Sequence, residues 1–225
     1  MRIKKSGNWK KKRQARSIPE GKNIYMFYCG KCTEPDYFNS INAVIKINKE
    51  NESRGITKYN FLEKTIPVDP KQMAKIVIET INSSRIHLDE VFVVFDKDSF
   101  KDDNFDNAIK MIQDLNGKHG DTCFIPLWSN QCLELWFVLH FEYLQAQLER
   151  TDYFSKMKTY LKLKKYKKNI KDIKDLIALN GGKISFAIEN AHKLLEMHKE
   201  KTSFSDKFPA TNVVEFFDEY EKYIY

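Results

Sequence analysis

Residues 91–98 read VFVVFDKD. Five apolar residues run straight into two aspartates spaced one residue apart, Asp96 and Asp98. The apolar run is continuous, not alternating, so it predicts a strand covered on both faces, as in parallel sheets of α/β proteins. A strand that ends on D-x-D has two readings. Aspartate is a good turn former, and the pair then simply closes the strand. Alternatively, residues i and i+2 of an extended segment point the same way, so the two carboxylates converge and call for a positive charge between them. Mg²⁺ suits that place, since it takes oxygen ligands, keeps several waters and needs one or two carboxylates from the protein.

Two further runs resemble the first. NIYMFYC (23–29) is apolar and aromatic, bounded by Gly21 and Gly30; DTCFIPLW (121–128) follows Gly120. Both predict buried strands. Helices are expected between them. One follows Thr33 as cap, with Pro35 and Asp36 in its first turn and Phe38, Ile41, Ile45 and Asn48 at helical spacing. A second runs from Pro70 to about Ser84, capped by Asp69, with Met73, Ile76, Val77, Thr80 and Ile81 on one face. A third, FDNAIKMIQDLNGK, ends at Gly117. SNQCLELWFVLHFEY (129–143) is apolar nearly all round and predicts a buried helix with Trp136, Phe137 and Tyr143 in the core. Its His140 reads as a core histidine, on a different face from Glu134. The alternation of strand and helix predicts an α/β fold: a mostly parallel sheet with flanking helices.

The ends of the chain are basic. Residues 1–20 form an arm containing Lys10, Lys11, Lys12 and Arg13, with no acid before Glu20. The α/β core is expected over 21–145. A helical C-terminal portion, 146–225, contains nine lysines between 156 and 174, among them Lys164, Lys165, Lys167 and Lys168, and ends in a helix after Pro209 capped by Thr211. The net charge of +7 suits a polyanionic partner. The lysine run is the candidate phosphate-tracking face, against a plain solvated helix face. The N-terminus has no apolar core of a signal peptide and no run reaches the roughly 18 residues of a membrane span. With four cysteines (Cys29, Cys32, Cys123 and Cys132) in otherwise ordinary sequence, the expectation is a cytoplasmic protein with reduced thiols and no membrane partner.

The three strand ends carry polar groups where α/β sites form. CGKCTEP supplies Glu34, FDKD supplies Asp96 and Asp98, and WSNQCLE supplies Ser129, Asn130 and Glu134. Glu34 and Glu134 also read simply as acids in first helical turns, favoured by the helix dipole. Either Ser129 or Asn130 reads as a cap of the next helix.

The segments CGKCTEPDYF, VFVVFDKDSF, SNQCLELWFVLHFEY, YKKNIKDI, AIENAHKLL and FPATNVV, in this order, resemble RloB-like proteins, over about Asn23 to Val214. That family is similar to Toprim-fold proteins, the metal-dependent catalytic domain of topoisomerases, primases and certain nucleases. The resemblance implies a Toprim-like fold with Mg²⁺ or Mn²⁺ at Asp96 and Asp98; Glu34 and Glu134, offered by the neighbouring strand ends, are the further candidate catalytic acids. It also implies action on nucleic acid (DNA or RNA, tRNA included) in bacterial phage defence or abortive infection, beside an ABC/SMC-like ATPase encoded nearby. One departure stands out. The pattern E-G-x-x-T-E-P appears here as Cys29-Gly30-Lys31-Cys32-Thr33-Glu34-Pro35, so a cysteine stands where the first glutamate belongs. A neutral thiol is a poor Mg²⁺ ligand. Three outcomes follow: Glu34 reaches the site, a thiophilic metal such as Zn²⁺ uses Cys29 and Cys32, or the chain binds without catalysing.

Overall fold

A computed structural model describes residues 22–52 and 60–224. The basic-arm residues Lys10, Lys11, Lys12 and Arg13 lie outside the described residues. The chain forms a mixed α/β fold built on one five-stranded sheet. Its strands are β1 (Asn23–Tyr28), β2 (Asn60–Thr65), β3 (Glu90–Asp96), β4 (Cys123–Asn130) and β5 (Ala210–Thr211), in the order β2-β1-β3-β4-β5. The first four are parallel and β5 runs antiparallel to β4.

The helices joining the parallel strands are α1 (Thr33–Glu52), α2 (Pro70–Ser83) and α3 (Asp102–Gln113). Side-chain alternation along β1 and β3 sorts the core into two layers. Ile24, Met26, Tyr28, Phe92 and Val94 face Phe38, Ile41 and Ile45 of α1. Phe27, Val91, Val93 and Phe95 face Met73 and Val77 of α2 and Phe105 and Ile109 of α3. Every residue of β3 is buried, so the uninterrupted apolar run of its sequence reflects cover on both faces. The expected cap of α2 is present: the Asp69 side chain accepts from the Gln72 N–H at 3.0 Å.

After β4 come α4 (Glu134–Leu139), α5 (Arg150–Tyr160), α6 (Ile173–Leu179), α7 (Ile184–Met197) and α8 (Val214–Tyr220). They share one core with α1, in which Trp136, Phe137, Leu194, Phe216 and Phe217 are buried together. Trp136 stacks on Phe217 with 4.7 Å between centroids and donates from Nε1 to the Tyr37 hydroxyl at 2.7 Å. His140 is a core histidine. Its Nδ1 lies 2.9 Å from the Trp136 carbonyl, and burial pushes its pKa down to about 4, against weaker support from backbone groups.

Several local expectations are corrected. β2 is an addition to the expected strands: NFLEKT is mostly exposed and charged, an edge strand without the apolar signature of its neighbours. Ser129 and Asn130 belong to β4 and do not open α4. Ser129 Oγ meets Thr211 Oγ1 at 2.9 Å, and Asn130 Nδ2 donates to the Ser205 carbonyl at 2.8 Å. The first joins β4 to β5 and the second ties β4 to the segment that leads into β5. Thr211 lies in β5 instead of capping α8. Tyr143 is on the surface beneath the Lys193 ammonium, not in the core.

Pro126 sits inside β4, where a missing N–H would normally break a ladder. β5 does not extend opposite it. Asn212 takes over that edge: Nδ2 donates to the Pro126 carbonyl at 2.8 Å and Oδ1 accepts from the Trp128 N–H at 2.7 Å. Asn212→Ala leaves two buried strand groups unpaired, and a loss of about 2–4 kcal/mol in urea unfolding is expected. A loss below about 0.5 kcal/mol would show that water replaces the amide.

Candidate functional site

Strand order reverses between β1 and β3, since the chain leaves β1 toward β2 on one side and β3 toward β4 on the other. Such a switch point opens a crevice beyond the carboxyl ends of the two strands. The segments 29–34 and 96–98 stand there, around a cavity of about 510 Å³ whose walls include Cys29, Glu34, Asp96, Asp98, Arg150 and Lys168.

Each acid reaches this place differently. Asp96 is the last residue of β3 and is 7% exposed. Asp98 does not continue the strand, as an extended D-x-D would. Its φ is +43°, a left-handed conformation that aspartate tolerates better than most residues. The turn is fixed by its own N–H, which donates to the Gln131 carbonyl at 2.9 Å, and by the Lys97 N–H to Ser129 at 2.9 Å. Both carboxylates still line the cavity. Glu34 enters from the first turn of α1 and folds over Gly30; a Cβ at position 30 would fall 1.8 Å from Glu34 Oε2, so only glycine leaves room for the carboxylate as placed. Glu134, at the start of α4, is fully buried behind the cavity wall. It accepts from the Tyr166 hydroxyl at 3.3 Å on one oxygen, while Oε2 has no hydrogen-bond partner.

The electrostatics follow from this crowding. Burial raises the Asp96 pKa well above the usual carboxylate range, Glu34 adds to the shift, and Lys168 opposes it. Burial also raises Glu34, against its own backbone N–H and Lys168, with Glu134 and Asp98 adding. Two cations answer the acids. Arg150 Nη1 pairs with Asp98 Oδ1 at 2.7 Å. Burial works against the charge on Lys168, but Glu134, Asp96 and Glu34 outweigh it and its pKa is raised. Both cations lie 5.8 Å from the centre of the Phe154 ring, within cation–π range.

Sequence reasoning grouped Lys164, Lys165, Lys167 and Lys168 as one nucleic-acid face. The structure divides them: the first three are exposed and Lys168 turns into the acidic cavity. Arg150 was not singled out, and nothing in LERTDYF marks it. Cys29 lines the cavity, but its thiol donates to the Val68 carbonyl, and burial, Asp96 and Glu34 push its pKa up to about 12. It is therefore a neutral thiol. Cys32 is exposed and all four cysteines are free. Among the described residues, no three His, Cys, Asp or Glu side chains are gathered as a ready metal cluster. No described helix is long and apolar enough to cross a membrane.

The segments around this cavity lie within a larger match. The family model described as RloB-like protein covers residues 24–219. The chain belongs to the RloB-like protein family. A search of curated proteins found no match. The matched span runs from β1 through most of α8 and contains Cys29, Glu34, Asp96, Asp98, Glu134, Arg150 and Lys168. The acids of the cavity and its two cations from the C-terminal helical portion thus all fall within the matched span.

Proposed function

We propose that this RloB-like protein is a divalent-metal-dependent nuclease with a Toprim-like catalytic fold, hydrolysing phosphodiester bonds in DNA or RNA. The observation that carries the reading is the convergence of Glu34, Asp96 and Asp98 at the switch-point cavity, with Glu134 behind them. The donors are of the kind a hard cation such as Mg²⁺ or Mn²⁺ takes: all are carboxylate oxygens, burial first and neighbouring acids second raise Asp96 and Glu34, and Glu134 keeps one buried oxygen unpartnered, although no three of them are yet closed upon a common point among the described residues. Asp96 and Asp98 would hold the metal, with Glu34 beside them. A bound metal there supplies charge stabilisation for a phosphodiester under attack. Arg150 and Lys168 offer further positive charge to a phosphate, and the exposed Lys164, Lys165 and Lys167 lie on the same segment as Lys168. The free thiols suit a reducing compartment such as the cytoplasm. The resemblance set out above extends the reading to phage defence beside an ABC/SMC-like ATPase.

A second reading has its own support. Cys29 stands as a neutral thiol at the cavity wall, and Arg150 and Lys168 already neutralise part of the acid cluster. On this reading the protein is a weakly catalytic or inactive nucleic-acid-binding subunit of the same assembly. The test is cleavage of single-stranded DNA, duplex DNA and tRNA with Mg²⁺, Mn²⁺ or EDTA. The nuclease reading expects metal-dependent cutting that Asp98→Ala reduces on the order of 100-fold or more. Cutting that survives both EDTA and Asp98→Ala overturns it.

A further inference from the structure

A cation of the protein's own, Lys168, already points into the cavity proposed for a divalent ion. Lys168 comes from a region without regular secondary structure between α5 and α6 and lines the cavity together with Glu34, Asp96 and Asp98, all remote from it in sequence. Three contacts hold that segment down. The Thr33 hydroxyl, one residue before Glu34, donates to the Lys168 carbonyl at 2.6 Å. The Tyr166 hydroxyl donates to Glu134 at 3.3 Å. Phe154, on α5, has the Lys168 ammonium over its ring. Around it, Glu134 is fully buried with one oxygen unpartnered, and no three ligand-type side chains among the described residues are closed upon a common point.

Resting on the reading of this cavity as a metal site, we propose that Lys168 is its internal counter-cation. Its ammonium and a divalent ion compete for Glu34, Asp96 and Glu134, so that metal binding requires Lys168 to leave. Like-charged ions cannot share so small a carboxylate cluster at low cost: two unit charges 4 Å apart repel by roughly 4 kcal/mol even at an effective dielectric of 20. The arrangement with Lys168 turned among the acids is then a closed form of the site. Metal affinity is reduced by the fraction of molecules in which the lysine has withdrawn.

Calorimetric titration of the full chain with Mn²⁺ tests this, using wild type, Lys168→Met, Thr33→Val and Lys167→Met. Lys168→Met keeps the length of the side chain and removes its charge; at least tenfold tighter Mn²⁺ binding is expected. Thr33→Val keeps the charge and releases only the tether of the segment, and a smaller tightening of about twofold to fivefold is expected. Lys167→Met removes an exposed charge from the same segment and should change affinity less than twofold. Thermal unfolding with and without Mn²⁺ accompanies each titration, and the metal-induced rise in Tm should be largest for Lys168→Met, even where that variant is unstable in EDTA. Unchanged or weaker Mn²⁺ binding by Lys168→Met, with wild type binding normally, overturns the competition and leaves the metal site standing. Equal tightening by Lys167→Met and Lys168→Met reduces it to general electrostatics and also overturns it. Absence of Mn²⁺ binding in every form overturns the metal reading itself, and the competition with it.

Discussion

Asp96→Asn is expected to abolish Mn²⁺ binding and metal-dependent cleavage, the latter by at least about 10²–10³-fold, while making the metal-free protein more stable at neutral pH. The two effects share one cause. Asp96 is buried at the end of β3 beside Glu34, and burial followed by that neighbour raises its pKa well above the ordinary range. A carboxyl whose pKa is higher in the folded state than in the unfolded chain holds a proton that the unfolded chain has released. Stability from that difference is full below the ordinary carboxylate range and falls as pH rises toward the raised folded value. Glu34 is shifted in the same direction, by burial first, and contributes with the same sign. Asparagine keeps the shape of the side chain and cannot ionise, so it removes the charge at position 96. Urea unfolding in EDTA at pH 5 and pH 8 measures this. The wild type should lose stability between the two, and Asp96→Asn should lose less and exceed the wild type at pH 8. An Asp96→Asn protein that is weaker than wild type at pH 8 would mean that Asp96 is a satisfied structural acid and not a site held ready for a cation.

Most of the frame that places these residues was legible in the sequence, because continuous apolar runs signal doubly covered strands and D-P and T-E-P openings signal helix starts. The strands that escaped were those without that chemistry. β2 is a polar edge strand, and β5 is two residues long, joined to β4 through Ser129 and Thr211 and followed by Asn212, which itself binds β4. The candidate site divides in the same way. Glu34, Asp96 and Asp98 follow strand ends, so strand–helix alternation brings them together once the sheet is assigned. Lys168 and Arg150 arrive through tertiary packing of α5 and the region after it. No local period distinguishes Lys168 from Lys167 beside it. What separates them is that Thr33 holds the backbone at 168 and Phe154 lies under its ammonium. Asp98 shows the converse. Its position was legible, but the reason it reaches the cavity was not: a left-handed turn, held by Gln131, replaces the extended geometry that the spacing suggested.

Cys29→Glu carries the largest expected change in stability and decides between catalysis and binding. The thiol lies in the cavity wall near Asp96 and Glu34, and its raised pKa, from burial and then those two acids, records how poorly a negative charge is tolerated there. A glutamate at 29 adds a further carboxylate to the same crowded place. In EDTA the variant should be less stable than wild type by roughly 3–5 kcal/mol, the usual cost of an uncompensated buried charge, read as a lower urea midpoint. Saturating Mn²⁺ should restore most of that loss, and Mn²⁺ affinity should rise at least about tenfold, because affinity of an oxygen-ligand site grows with the number of charged ligands. Cys29→Gln serves as the control, with similar bulk and no charge; it should share neither the metal dependence nor the gain in affinity. Cleavage then separates the two functional readings. If tighter metal binding brings a rise in nuclease activity over wild type, the cysteine limits a working catalytic site. If the metal binds tightly, the fold is intact and DNA and tRNA remain uncut, the acid cluster is a binding centre, and the basic segment around Lys168 becomes the part of the molecule that meets nucleic acid.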